Sequence, residues 1–129
     1  MFDMDGVLLH STPAHDMAFR SILLSIGIDR FDYAQIAGMR TEKAFELLLS
    51  RHGYSVTPDV LEKLVTKKRK LALETIASGS CVSPAMRPFI EKLAGKLKLG
   101  LATSASRATV ELFFKLTTTH PFFSAVVCG

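Results

Sequence analysis

Met1-Phe2-Asp3-Met4-Asp5-Gly6-Val7-Leu8 opens the chain with two carboxylates one residue apart, set between an apolar start and a glycine. A short apolar run reads as the end of a buried strand, and Gly6 permits a sharp departure from it, which places both acids at the strand's carboxyl end. Open α/β sheets bind their ligands there. Side chains alternate along a strand, so Asp3 and Asp5 would share one side unless the loop has already begun. Two such carboxylates suit a nucleophile beside a proton-transfer group, or oxygen ligands for a hard cation such as Mg²⁺. The same residues alone also make an ordinary Asp/Gly turn.

Downstream, Leu99-Gly100-Leu101-Ala102 is a short apolar strand running into Thr103-Ser104-Ala105-Ser106, and Arg107–Leu116 reads as a helix. Ala125–Cys128, within Phe122-Phe123-Ser124-Ala125-Val126-Val127-Cys128-Gly129, reads as another strand. Strand, helix and strand with short links predict a parallel βαβ unit whose sheet the Phe2 strand joins. Between these parts the spacing is helical. Thr12-Pro13 reads as a capped helix entrance, and the apolar residues from Met17 to Ile26 lead to a stop at Gly27. After a short segment from Tyr33 to Ala37, Thr41 reads as the cap of a helix with Glu42 in its first turn, ending at Gly53. Thr57-Pro58 opens a longer helix reaching Ile76, and Ser83-Pro84 opens another carrying Phe89, Ile90, Leu93 and Leu97. Residues from about 13 to 80 thus form a helical insertion in an α/β core.

The chain has 129 residues, 48% hydrophobic, enough to bury a core. It carries no apolar stretch of membrane-spanning length and no secretory leader pattern, which predicts a cytoplasmic protein. Cys81 and Cys128 make neither a disulfide framework nor a zinc site and read as buried thiols. The net charge of +4 comes largely from Lys63 and the run Lys67-Lys68-Arg69-Lys70. That run sits on a helix without interleaved aromatics, so it reads as a solvated face rather than a nucleic-acid groove.

Asp3-Met4-Asp5-Gly6-Val7-Leu8 with Ser11, Pro13 and His15, together with Leu99 to Ser106 and Phe122 to Gly129, resembles the haloacid dehalogenase superfamily. The resemblance is closest to its phosphoglucomutase-like and phosphoglycolate-phosphatase-like branch. It implies a Rossmann-like parallel sheet core from residues 1–12 and 81–129, with an inserted α-helical bundle cap from 13–80. It also implies a Mg²⁺-dependent phosphatase acting on a small phosphorylated metabolite, with no nucleic-acid or membrane partner. The alternatives are a sugar-phosphate mutase of the same architecture and a non-catalytic fragment or binding module. A dehalogenase proper is disfavoured, because Asp5 offers the second carboxylate that phosphoryl transfer uses. The resemblance reaches about the first three-fifths of a family member and stops before a lysine and an acidic pair. The expectation is therefore that these residues alone are inactive and that the gene product continues.

On that resemblance Asp3 is the nucleophile and, with Asp5, a metal position. Asp5 passes a proton to the leaving group and later takes one from water. Thr103 hydrogen-bonds the phosphoryl group, with Ser104 beside it, and the N–H groups of Ser104 and Ala105 also face the anion. The same tract caps helices in many proteins for structural reasons alone. His15 and Arg40, the latter in Gly38-Met39-Arg40-Thr41, are candidate substrate contacts. Leu9-His10-Ser11 departs from the family's usual acidic residue before the serine.

Overall fold

The computed structural model describes residues 1–129, which divide into two units: Met1–Pro13 with Leu73–Gly129, and Ala14–Ala72. The boundaries fall within two helices, α1 (Thr12–Leu24) and α3 (Pro58–Ala77).

The first unit is the α/β part. It contains α4 (Met86–Ala94), β1 (Leu99–Ala102), α5 (Arg107–Thr117) and β2 (Phe123–Val127). β1 and β2 pair in parallel, in the register Leu99↔Phe123, Gly100↔Ala125, Leu101↔Val126 and Ala102↔Val127, with an irregularity between Leu99 and Gly100. The opening segment contributes one residue on β1's other side, a parallel bridge from Phe2 to Leu101. β1 is therefore the middle of the arrangement. The parallel crossover expected from strand–helix–strand order is present, and β2 starts two residues earlier than its sequence suggests because Phe123 is already buried and paired.

The turn chemistry explains the helix ends. Ser106 caps α5, its hydroxyl accepting from the Thr109 amide at 3.4 Å, and Thr118 closes the helix in a left-handed conformation. α4 begins at Met86, later than Ser83-Pro84 suggests, because the Ser83 hydroxyl first takes the Ala85 amide at 3.3 Å in a separate turn. Leu97 falls outside that helix and is exposed. Met4, Leu9, Ile90, Leu101 and Phe113 are fully buried, each contributing roughly 1.5–3 kcal/mol of apolar burial. Cys81 is buried as expected, whereas Cys128 is only half-buried because it follows the exposed part of β2.

The second unit is all helical. It comprises the body of α1, a 3₁₀ turn at Tyr33–Gln35, α2 (Thr41–Arg51) and α3 as far as Ala72. Its core gathers Phe19, Ile22, Leu23, Ile28, Ile36, Phe45, Leu48, Leu49, Leu64 and Val65. Phe19 and Phe45 stack at 4.9 Å between centroids and 52° between planes, a tilted contact worth about 1 kcal/mol beyond its area. α1 includes Thr12 and ends at Leu24, before a turn in which Gly27 takes φ +84°. Thr41 is not a cap but the first helical residue of α2. The extended backbone of Arg40 holds the cap position, its carbonyl accepting from the Ala44 amide at 3.0 Å, with no side-chain bond. No helix is long and apolar enough to cross a membrane.

Candidate active site

Two backbone hydrogen bonds seat the opening segment on β1. The Phe2 amide donates to the Gly100 carbonyl and the Ala102 amide to the Phe2 carbonyl, each at 2.8 Å. Asp3 and Thr103 consequently follow paired, parallel backbone segments, the Phe2 bridge and β1, at the same, carboxyl end. Asp3 is exposed, and its Oδ1 accepts from the Met4 amide at 2.7 Å. Met4 is fully buried, pinning the step between the two acids.

The loop has already begun at Asp5. The Met4 carbonyl gathers the amides of Leu8 and Leu9 at 2.9 Å, and the Gly6 amide donates to the Leu9 carbonyl at 2.8 Å. Gly6 has φ +76°, a conformation costly for any residue with a Cβ. The strand alternation therefore does not govern this pair. Asp5 is half-buried, and its Oδ1 accepts a 2.5 Å hydrogen bond from the hydroxyl of the fully buried Ser11. Ser11 belongs to the same opening motif, and its contact with Asp5 arises from the way the intervening glycine turn closes.

Thr103 is half-buried. Its amide donates to the Val127 carbonyl at 3.0 Å, and its Oγ1 accepts from the Ala105 amide at 3.1 Å. That second bond corrects one expectation: the Ala105 N–H is spent closing a Thr-centred turn and does not face an anion, because a hydroxyl two residues upstream competes for it. The Thr103 hydroxyl keeps its own proton to donate. Ser104 is exposed beside it.

The other candidates lie in the helical unit. Arg40 is exposed at the start of α2. His15 is half-buried, and its Nδ1 lies 2.9 Å from Nζ of Lys68. Lys68 is the residue that sequence reading missed. The run Lys67-Lys68-Arg69-Lys70 predicts a solvated face, yet Lys68 is only 5% exposed while the other three are exposed. Its ammonium sits 4.8 Å from the centre of the Phe19 ring, a cation–π contact. Leu64 and Val65 precede it by four and three positions, so it falls on the apolar stripe of α3. That spacing was the available signal. Arg69, by contrast, pairs with Glu42 at 2.7 Å across half-exposed surface.

No grouping of three or more His, Cys, Asp or Glu side chains suited to a metal ion is present. Asp3 and Asp5 supply hard oxygen donors, which fit part of a Mg²⁺ shell whose remaining positions water can fill.

Residues 1–129 match the family described as haloacid dehalogenase-like hydrolase. Significant sequence matches among curated proteins are absent. Similar solved structures include the β-phosphoglucomutase of Clostridium difficile, with a TM-score of 0.79 at 19% identity over 97% of this chain and 58% of that one. A protein named as a predicted phosphoglycolate phosphatase, from Haemophilus somnus, gives 0.78 at 18% identity, over 99% and 60%. A protein named as the putative HAD-hydrolase YfnB, from Bacillus subtilis and bound to magnesium, gives 0.71 at 20% identity, over 98% and 62%. The chain thus spans about three-fifths of the length of these neighbours.

Proposed function

The chain belongs to the haloacid dehalogenase-like hydrolases, and from that premise we propose that the whole protein is a Mg²⁺-dependent phosphatase acting on a small phosphorylated metabolite. One observation carries the reading: an exposed carboxylate, Asp3, and a threonine turn, Thr103, follow the paired parallel residues Phe2 and Leu101 at the same end.

In this mechanism an Asp3 carboxylate oxygen attacks phosphorus, the bond from phosphorus to the leaving oxygen breaks, and Asp5 gives that oxygen its proton. Water then attacks the aspartyl-phosphate and yields its proton to Asp5, which restores both side chains and releases phosphate. Thr103 donates its hydroxyl to a phosphoryl oxygen and holds it in line. The bond from Ser11 fixes the Asp5 side chain at a defined place from which to move the proton. Mg²⁺ held by the Asp3 carboxylate and the Asp5 main-chain carbonyl, which leaves the Asp5 side chain free to carry the proton, would neutralise the repulsion between a carboxylate and a phosphate dianion. The helical unit is the cap in this reading, and it carries Arg40 and His15 for recognition of the leaving group. An Arg there suits a second phosphate or a carboxylate.

The likeness to both a mutase and a phosphatase keeps sugar-phosphate mutase as the second reading, with the phosphoryl group returned to a sugar rather than to water. The experiment is acid quench of the full-length enzyme turning over an aryl phosphate, followed by peptide mass spectrometry. A phosphoryl adduct on Asp3, absent from Asp3→Asn, is the expected result. Undiminished turnover in Asp3→Asn without an adduct would overturn the assignment. Adding a sugar phosphate separates the readings: release of inorganic phosphate marks the phosphatase, and isomerised sugar phosphate marks the mutase.

A further inference from the structure

The peptide beyond β2 runs alongside the turn that carries Thr103. The Thr103 amide donates to the Val127 carbonyl, and two residues later the Gly129 amide donates to the Ala105 carbonyl, both at 3.0 Å. The turn is therefore tied to the continuation of β2 at each of its ends. The approach is close. A Cβ on residue 129 would lie 2.6 Å from the Ser104 carbonyl oxygen, 3.2 Å from its carbon and 3.4 Å from the Ala105 oxygen. All three are backbone atoms, which cannot swing aside as a side chain does. Relief comes from displacing the Ser104–Ala105 peptide or from residue 129 backing away from it; Ser104 and Gly129 are both exposed, and either movement loosens the contact between the turn and the chain beyond β2 without disrupting a packed core. The atom that moves with this peptide, the Ala105 amide nitrogen, is the one that orients the Thr103 hydroxyl at 3.1 Å.

We propose that Gly129 is a positioning residue for phosphate: its missing side chain lets the β2 continuation brace the Thr103 turn from behind and set the direction of the threonine hydroxyl. This rests on the reading of Thr103 as the phosphoryl contact. Gly129 acts through Ser104 and Ala105 and does not itself touch the phosphoryl group.

The test uses the full-length enzyme, with competitive inhibition by inorganic phosphate as the readout. Gly129→Ala raises the inhibition constant and the aryl-phosphate KM together by about tenfold, while half-saturation by Mg²⁺ stays within about twofold. Measured against Ser104→Gly alone as the reference, adding Gly129→Ala raises the inhibition constant by less than about twofold, because a glycine peptide can rotate its carbonyl away from the new Cβ. A folded Gly129→Ala enzyme with unchanged phosphate inhibition, alongside an impaired Thr103→Ala enzyme, overturns the brace alone. Unchanged inhibition in Thr103→Ala overturns the phosphate reading itself, and the brace with it. If Gly129→Ala does not fold, the double variant decides: inhibition within about twofold of that of Ser104→Gly alone supports the brace, and a larger difference or failure of the double variant to fold overturns it in favour of a general packing requirement.

Discussion

Ser11→Ala removes a single hydroxyl, and the structure says what it should cost. Ser11 is fully buried, and its Oγ donates at 2.5 Å to the carboxylate of Asp5. Hydrogen bonds to charged groups contribute about 1.5–3 kcal/mol. Asp5 is half-buried and can take a water in place of the lost donor, which favours the lower end, about 1.5 kcal/mol. With a urea dependence of roughly 2 kcal/mol per molar, the unfolding midpoint falls by about 0.7 M. A double-mutant cycle with Asp5→Ala isolates the pair and should return a coupling of about 1 kcal/mol. The catalytic consequence is separable. In the proposed mechanism proton transfer depends on where Asp5 is held, which predicts that kcat for an aryl phosphate drops by about tenfold with KM within about twofold. A coupling below about 0.3 kcal/mol, with kcat unchanged, would refute the claim that Ser11 positions Asp5.

Asp3→Asn lowers Mg²⁺-dependent aryl-phosphate turnover by about 10³-fold or more, measured against parental enzyme that chelation silences and added Mg²⁺ restores. Arg40→Ala lowers kcat/KM for the physiological substrate by about 10–100-fold and leaves an aryl phosphate little changed; equal losses on both would assign Arg40 no part in reading the leaving group. Lys68→Ala destabilises the protein by about 1.5 kcal/mol or more, through lost packing of its stem and lost contact with Phe19 and His15, whereas Lys67→Ala stays within about 0.5 kcal/mol; thermal or urea unfolding of the two side by side checks the contrast.

Much of the α/β unit was legible because its signals are local and agree with one another. Leu99 to Ala102 is too short and apolar for anything but a buried strand, and a cluster of small hydroxyl residues separates it from the next helix. The placement of Asp3 beside Thr103 followed from strand-end logic once Phe2 and Leu101 were put in one sheet. What failed were features decided by competition. Thr41 and Ser83 carry the right side chains for caps, but backbone geometry at Arg40 and a preceding turn at Ala85 took those positions. The Ala105 amide was claimed by Thr103. Lys68 was misplaced because four consecutive basic residues were read by charge, whereas a helix distributes consecutive residues around its circumference and turns one of the four inward. The contact between Ser11 and Asp5 depends on how the five residues between them close into a loop, which no periodicity encodes.

The pairing of Phe2 with Leu101 has a consequence for how the protein is made. The partners lie roughly a hundred positions apart, whereas the core of the helical unit is built entirely between Phe19 and Val65. Closing so long a loop has to wait for its far end, and distant contacts form more slowly than local ones. At about 5–20 residues per second on the ribosome, the first carboxylates emerge roughly 5–20 s before the strand that will seat them. Through that interval Asp3 and Asp5 lack the strand that seats them while the helical unit already has the buried residues of its core. Pulsed proteolysis of stalled nascent chains would show the order directly: protection of the segment from Phe19 to Val65 should appear first, and protection of the opening residues only when Leu101 has cleared the exit tunnel.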